Sequence, residues 1–168
     1  MLNEQVENLL NDLIQIENNS STLYLAMSAY LANLNYTGMA SWLRAQSEEE
    51  RTHMLKLIDY VTDRGGRVTI KSTPDQLIDF GNPLETFEKV LEHERFVTNS
   101  YRQAHSFAAQ NDPQTAVILQ DFLREQVDEE AQAQTIVDRL SIAGSNAAAI
   151  LTIDQELGQR QAAAPAGG

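Results

Sequence analysis

Glu50 and His53 stand three residues apart, a spacing that puts a carboxylate and an imidazole on one face of a helix. Three other long amphipathic segments each carry a carboxylate on an otherwise apolar stripe, at Glu17, Glu94 and Glu129. A buried ionised carboxylate without a partner is very costly, and four in one core require cations to neutralise them. Four helices that each turn a ligand inward read as a carboxylate site for two metal ions. Glu50 can bridge both ions, and His53, one turn on, supplies a nitrogen. Carboxylate oxygens with imidazole and no thiolate suit iron, manganese or zinc. Hard anionic oxygens also favour Fe(III) over Fe(II), which makes such a site an oxidant of ferrous iron. Gln126, one turn before Glu129, is placed to ligate or to hydrogen-bond a ligand. Tyr24, two turns after Glu17 on its face, is either core packing or a redox-active neighbour. His93 and His105 read as structural, because Glu94 already commits that helix to the interior.

Composition narrows the chemistry further. The chain has 168 residues and no cysteine, so disulfides, thiolate metal sites, iron–sulfur ligation and cysteine nucleophiles are excluded. A formal net charge of −12 speaks against nucleic acid and anionic membranes as partners and suits cations. The acidic N-terminus lacks a secretory pattern, and no apolar run approaches the ~18 residues of a membrane span; a cytoplasmic location follows as the expectation.

These residues must be positioned by helices. Apolar residues recur at three and four from about Asn3 to Asn33, including Val6, Leu10, Leu13, Met27 and Leu31. A turn at residues 34–38 precedes a second helix to about Arg64, which Gly65-Gly66 ends. Residues 66–82 form a long irregular segment. Some 17 residues extend to ~55 Å, enough to traverse a helix of ~40 Å end to end. Asn82-Pro83 starts a third helix running to about Gln110, Asn111-Asp112-Pro113 turns the chain, and a fourth runs to about Ala143. Residues 147–157 form a short fifth helix. The expected architecture is all-α, a four-helix bundle with one long crossover between helices two and three plus a short C-terminal fifth helix. One domain spans 1–158, and the Ala/Pro/Gly tail 159–168 reads as disordered. Because four helices already close a bundle, the fifth is expected to bury its apolar face against other subunits, the alternative being a fold-back over one end of its own bundle.

Depth along the bundle agrees with the site. Glu17 and His53 lie 18 residues either side of Asn35, and Glu94 and Glu129 lie 17 and 18 residues from Asn111. Each pair therefore meets near the middle of its hairpin, whichever way the second hairpin runs.

With these features the chain resembles the ferritins, specifically the bacterial non-haem type, over about residues 1–157. The resemblance rests on Glu17 with Ser20-Ser21-Thr22-Leu23-Tyr24, on Glu48-Glu49-Glu50-Arg51-Thr52-His53-Met54, on Leu91-Glu92-His93-Glu94 and on Glu125-Gln126-Val127-Asp128-Glu129-Glu130. It implies that Glu17, Glu50 and His53 hold one iron, while Glu50, Glu94 and Glu129 hold the second, with Gln126 close by and Tyr24 beside the centre as an electron donor. A weaker third iron site would map onto Glu49, Glu125 and Glu129 with Asp128, which is shorter than the glutamate expected there. Gln126 to Glu129 is QxxE rather than a second ExxH, and Arg51 follows Glu50 where bacterioferritins carry their haem-ligating methionine, so no haem is expected. The implied function is iron storage and detoxification. Fe(II) is oxidised with O2 or peroxide at an intra-subunit di-iron ferroxidase centre, and Fe(III) mineral is kept inside a hollow homo-oligomeric cage of 24 subunits. Such a shell would carry a charge of about −290, which concentrates cations. The rivals are a di-iron oxidase or oxygenase acting on an organic substrate, and a structural bundle without metal.

Overall fold

A computed structural model describes residues 2–162. It contains five helices: α1 (Glu4–Asn33), α2 (Thr37–Asp63), α3 (Pro83–Asn111), α4 (Pro113–Ala143) and α5 (Ala147–Ala162). Local chemistry sets their ends. The Asn3 side chain caps α1 by accepting from the Val6 amide at 2.9 Å. At α1's other end Asn35 adopts φ 64°, and the Tyr36 amide donates to the Leu31 carbonyl at 3.0 Å, a left-handed C-terminal stop. Gly65, at φ 72°, ends α2 in the same manner. At the start of α3, Asn82 and Glu85 form a reciprocal capping box with Pro83 in the first turn. The fifth helix runs to Ala162, past the expected boundary at 158; residues 163–168 of the expected tail lie outside the described residues.

The segment between α2 and α3 lies along α1. The Asn11 amide donates to the Arg67 carbonyl at 2.9 Å and its oxygen accepts from the Thr69 amide at 2.6 Å. Gln15 likewise accepts from the Lys71 amide and donates to the Ser72 carbonyl. Tyr30 anchors the far end on Asp79 and the Gly81 carbonyl. The segment thus climbs α1 from its first turn to its last, so α3 starts at the end of the bundle where α2 starts, and α2 and α3 run parallel. The extended crossover expected from the sequence is present, stapled by side chains that replace the backbone partners it lacks.

Apolar packing divides into two clusters at opposite ends of the bundle. One gathers Met27, Leu31, Met39, Leu43, Phe87, Ile136 and Leu140; the other gathers Val6, Leu10, Ile14, Leu57, Val61, Tyr101, Leu119 and Phe122. Most of the candidate ligands lie between them. The fifth helix spends part of its apolar face on its own bundle, the alternative of the two expected, while Leu151 stays exposed. Ile153 and Leu157 are buried in the first cluster, so α5 folds back over one end of its own bundle. Space permits this because α2 presents glycine there: a Cβ on Gly38 would sit 1.7 Å from the Asp154 carbonyl oxygen. Asp154 completes the contact by capping α2, accepting from the Met39 amide at 2.8 Å, which Tyr36 at the N-cap does not do through its side chain. Among the described residues no helix is long and apolar enough to cross a membrane.

Gly38→Ala is expected to lower stability by about 1–3 kcal/mol, the usual cost of overpacking. Asp154→Ala, which removes only a cap, should cost about 1 kcal/mol. Thermal unfolding followed by circular dichroism ranks the two; a Gly38→Ala variant as stable as the parent would contradict this seating of α5.

Candidate metal centre

Glu17 on α1, Glu50 and His53 on α2, Glu94 on α3 and Glu129 on α4 are all no more than 5 % exposed. Each sits where its helix's apolar stripe faces the bundle axis, so the fold withdraws four carboxyls and an imidazole from water together. Glu17, Glu50 and His53 come closest: one ligand atom of each lies within 4.8 Å of the others. Among the described residues, Glu17 Oε2 and Glu50 Oε1 are the buried side-chain polar atoms without a hydrogen-bond partner. An orphaned pair of carboxylate oxygens beside an imidazole calls for a cation. The donor set, hard oxygens with one nitrogen, fits iron.

The other half of the site is already satisfied. Glu94 accepts from the Tyr24 hydroxyl at Oε1 and from the Gln126 amide at Oε2, the latter at 3.0 Å. Gln126 also reaches Thr98 Oγ1 at 3.2 Å, so it acts here as a donor to a ligand candidate. Glu129 accepts from the Gln46 amide at 2.7 Å. His93 pairs instead with Ser20 and Tyr24: its Nε2 lies 2.7 Å from Ser20 Oγ and its ring meets the Tyr24 ring edge-on at 5.6 Å.

His53 is held from both sides, with Nδ1 3.3 Å from Glu50 and Nε2 2.7 Å from Glu125. An imidazole whose outer nitrogen is fixed by a carboxylate presents the inner one to a metal in a set orientation. Glu125, expected as an outer iron ligand, therefore spends its nearer oxygen on His53. Glu49 and Asp128 lie on the exposed surface, and none of these three joins the close group of ligand atoms.

Burial controls the protonation of this core. It pushes the Glu17 carboxyl well up, aided by the Glu50 charge. It also raises Glu94 to about 7, aided by Glu50, and Glu129 to about 8, aided by Glu49 and Glu94. Burial opposes ionisation of Glu50 too, but the His53 hydrogen bond and the adjacent Glu17 carboxyl outweigh it and hold Glu50 low. For His53, burial disfavours the cation, yet Glu50 and Glu125 win and raise it. Burial and the neighbouring carboxylates keep Tyr24 and Tyr101 as phenols. Burial thus favours protons on the metal-free core, and a cation must displace them.

Three contributors escaped the sequence reading: Tyr101, whose hydroxyl donates to Glu17 Oε1, Gln46, and Glu125 in its role on His53. Tyr101 follows Glu94 by two turns and Gln46 precedes Glu50 by one. A polar group on an apolar stripe beside a ligand was the available signal.

Comparison with known proteins points to one family. A family model described as Ferritin-like domain matches residues 7–143. The chain is 42% identical over 161 residues to a protein named bacterial non-heme ferritin from Bacteroides fragilis (strain 638R), covering 95% of this chain and 100% of that protein. It is 34% identical over 158 residues to a protein of the same name from Escherichia coli O6:H1, covering 94% and 96%. A solved structure described as a novel open pore ferritin from the hyperthermophilic archaeon Archaeoglobus fulgidus superposes with a TM-score of 0.93 at 37% identity, covering 95% of this chain and 98% of that one.

Two outcomes follow. Between the ordinary carboxylate value of 4.5 and about 7 to 8, folded Glu94 and Glu129 hold protons that the unfolded chain has released. Their contribution, complete at lower pH, is lost as pH rises through that window. Raised His53 acts in the same direction, while depressed Glu50 acts only at the acid end. Urea midpoints of chelator-treated protein should therefore fall from pH 5 to pH 8, and a divalent metal should flatten or reverse the slope; a rising midpoint without metal would refute the protonated core. Glu125→Ala should weaken zinc binding roughly 10–100-fold by calorimetry, whereas a purely outer ligand would leave the tightest sites untouched.

Proposed function

The chain belongs to the ferritin family and is an iron-storage protein of it, and on that premise we propose that it oxidises Fe(II) at a di-iron ferroxidase centre built from Glu17, Glu50, His53, Glu94 and Glu129. The observation that carries this reading is the pair of unpartnered buried oxygens on Glu17 and Glu50 beside His53. Fe(II) is the substrate, and the four carboxyls and imidazole trade protons for it. Glu50 bridges the two ions. Glu17 and His53 complete one side; Glu94 and Glu129 complete the other, with Gln126 and Gln46 steadying them. Each Fe(II) gives up one electron, and O2 or peroxide takes them. Tyr24, hydrogen-bonded to Glu94, is placed to donate a further electron. A third, weaker iron at Glu49, Glu125 and Glu129 with Asp128 would require Glu125 to release His53.

Storage requires a shell, and the reading includes a homo-oligomeric cage of 24 subunits. Its support within one chain is apolar surface left in water: Ile70, Leu77 and Ile78 on the crossover and Leu25 on α1, side chains that a second copy would cover. A cytoplasmic location suits a cysteine-free chain that handles ferrous iron.

The test adds Fe(II) aerobically to metal-free protein in a stopped flow, follows ferric absorbance and sizes the product by chromatography. A fast phase saturating near two irons per chain, then slow uptake far beyond it in a large assembly, is expected. Saturation at two irons in a small oligomer would favour an oxidase acting on an organic substrate, and no binding would leave a structural bundle. Glu50→Ala and His53→Ala should each abolish the fast phase while the assembly elutes unchanged; normal oxidation in both would refute the ligand assignment.

A further inference from the structure

The two halves of the centre are each wired to a buried tyrosine. Tyr24 donates its hydroxyl hydrogen to Glu94 on one side. On the other, Tyr101 donates to Glu17 Oε1, leaving Oε2 of the same carboxylate unpartnered. The Tyr101 ring stacks on Phe122 at 5.1 Å with an interplanar angle of 16°. Phe122 in turn meets His53 edge-on at 5.6 Å. Tyr101 thus reaches both Glu17 and His53, the two terminal ligands of one iron, by a hydrogen bond and by packed rings. Both tyrosines are almost wholly excluded from water, at 0 % and 1 % exposed. Tyr60, in contrast, turns its hydroxyl to Thr115 and Arg64 near the end of the bundle.

We propose that Tyr101 is a second electron donor of the centre, serving the Glu17–His53 side as Tyr24 serves the Glu94 side. The proposal rests on the ferroxidase reading above and deepens it. Two Fe(II) supply only two of the four electrons that carry O2 to water; Tyr24 and Tyr101 supply the other two. Each phenol loses one electron to the oxygen under reduction, and its proton passes to the same oxygen through the carboxylate it already touches, Glu17 for Tyr101 and Glu94 for Tyr24. Four protons are consumed, two from the phenols and two from solvent. The products are two water molecules, two Fe(III) and two neutral phenoxyls, and no peroxide leaves. A further Fe(II) and a proton return each phenoxyl to phenol.

The experiment mixes full-length, metal-free protein with two Fe(II) per chain and O2, freeze-quenches it for electron paramagnetic resonance, and measures released H2O2 and ferric absorbance on the same samples. Tyr101→Phe keeps the ring stack and removes only the hydroxyl, and ring-deuterated tyrosine identifies the radical by its narrowed hyperfine splitting. Tyr24→Phe and Tyr101→Phe should each retain roughly half of the parent's phenoxyl signal, as independent sites would, the missing fourth electron coming from Fe(II) not yet oxidised at another centre. The double variant should show none and release one H2O2 per two Fe(II) oxidised. Complete loss of the signal in Tyr24→Phe, or a double variant that matches the parent in signal and peroxide, would overturn the proposal, as would a Tyr101→Phe that changes only the oxidation rate. Ferric absorbance separates the layers: if the parent forms none, the ferroxidase reading fails and this one with it.

Discussion

Putting carboxyls where water cannot reach them is the constraint around which this bundle is organised. Four helices each bring one to the same depth, and an ionised carboxylate there has no solvent to stabilise it. Two apolar clusters at the ends of the bundle hold the helices together and keep the polar belt between them in place. The belt can then be neutralised only by protons or by cations. In the metal-free chain burial favours the protonated forms of Glu17, Glu94 and Glu129, Glu50 and Glu125 favour the charged form of His53, and the imidazole favours ionised Glu50. Stability and metal affinity are therefore two readings of one proton inventory.

The halves of the site are prepared to different degrees. Glu17 and Glu50 each keep a free oxygen, and His53 is aligned by Glu125 from behind. Both oxygens of Glu94 are taken, by Tyr24 and Gln126, and Glu129 holds Gln46. A cation on the Glu17 side meets ligands with spare lone pairs; one on the Glu94 side must compete with donors already in place. Asymmetry of this kind comes from the supporting residues rather than from the ligands.

Register between the helices is enforced from outside the core. Asn11, Gln15 and Tyr30 hold the crossover to α1 through its backbone groups, which fixes α3 parallel to α2. At the opposite edge the glycine at 38 lets α5 approach α2 closely enough for Asp154 to cap it. Neither device touches the metal ligands, yet both decide where the four stripes face.

The sequence by itself determined the helices, their turns and the five ligand candidates, because apolar periodicity and equal spacing from each turn are local, one-dimensional properties. Glu17, Glu50, His53, Glu94 and Glu129 were legible as acidic or basic interruptions of apolar stripes, and residues 66–82 as a crossover from their length and their proline and glycine. Tertiary structure alone decided how those residues are partnered. That Gln126 serves Glu94, that Glu125 turns to His53 instead of outward with Glu49 and Asp128, and that Tyr101 reaches Glu17 depend on which side chains of different helices approach within a few ångströms. Spacing along one helix carries no such information. The fifth helix makes the same point: its apolar face was plain in the sequence, but the seating of Ile153 and Leu157 on its own bundle turned on a backbone approach that only a residue without a Cβ, Gly38, permits.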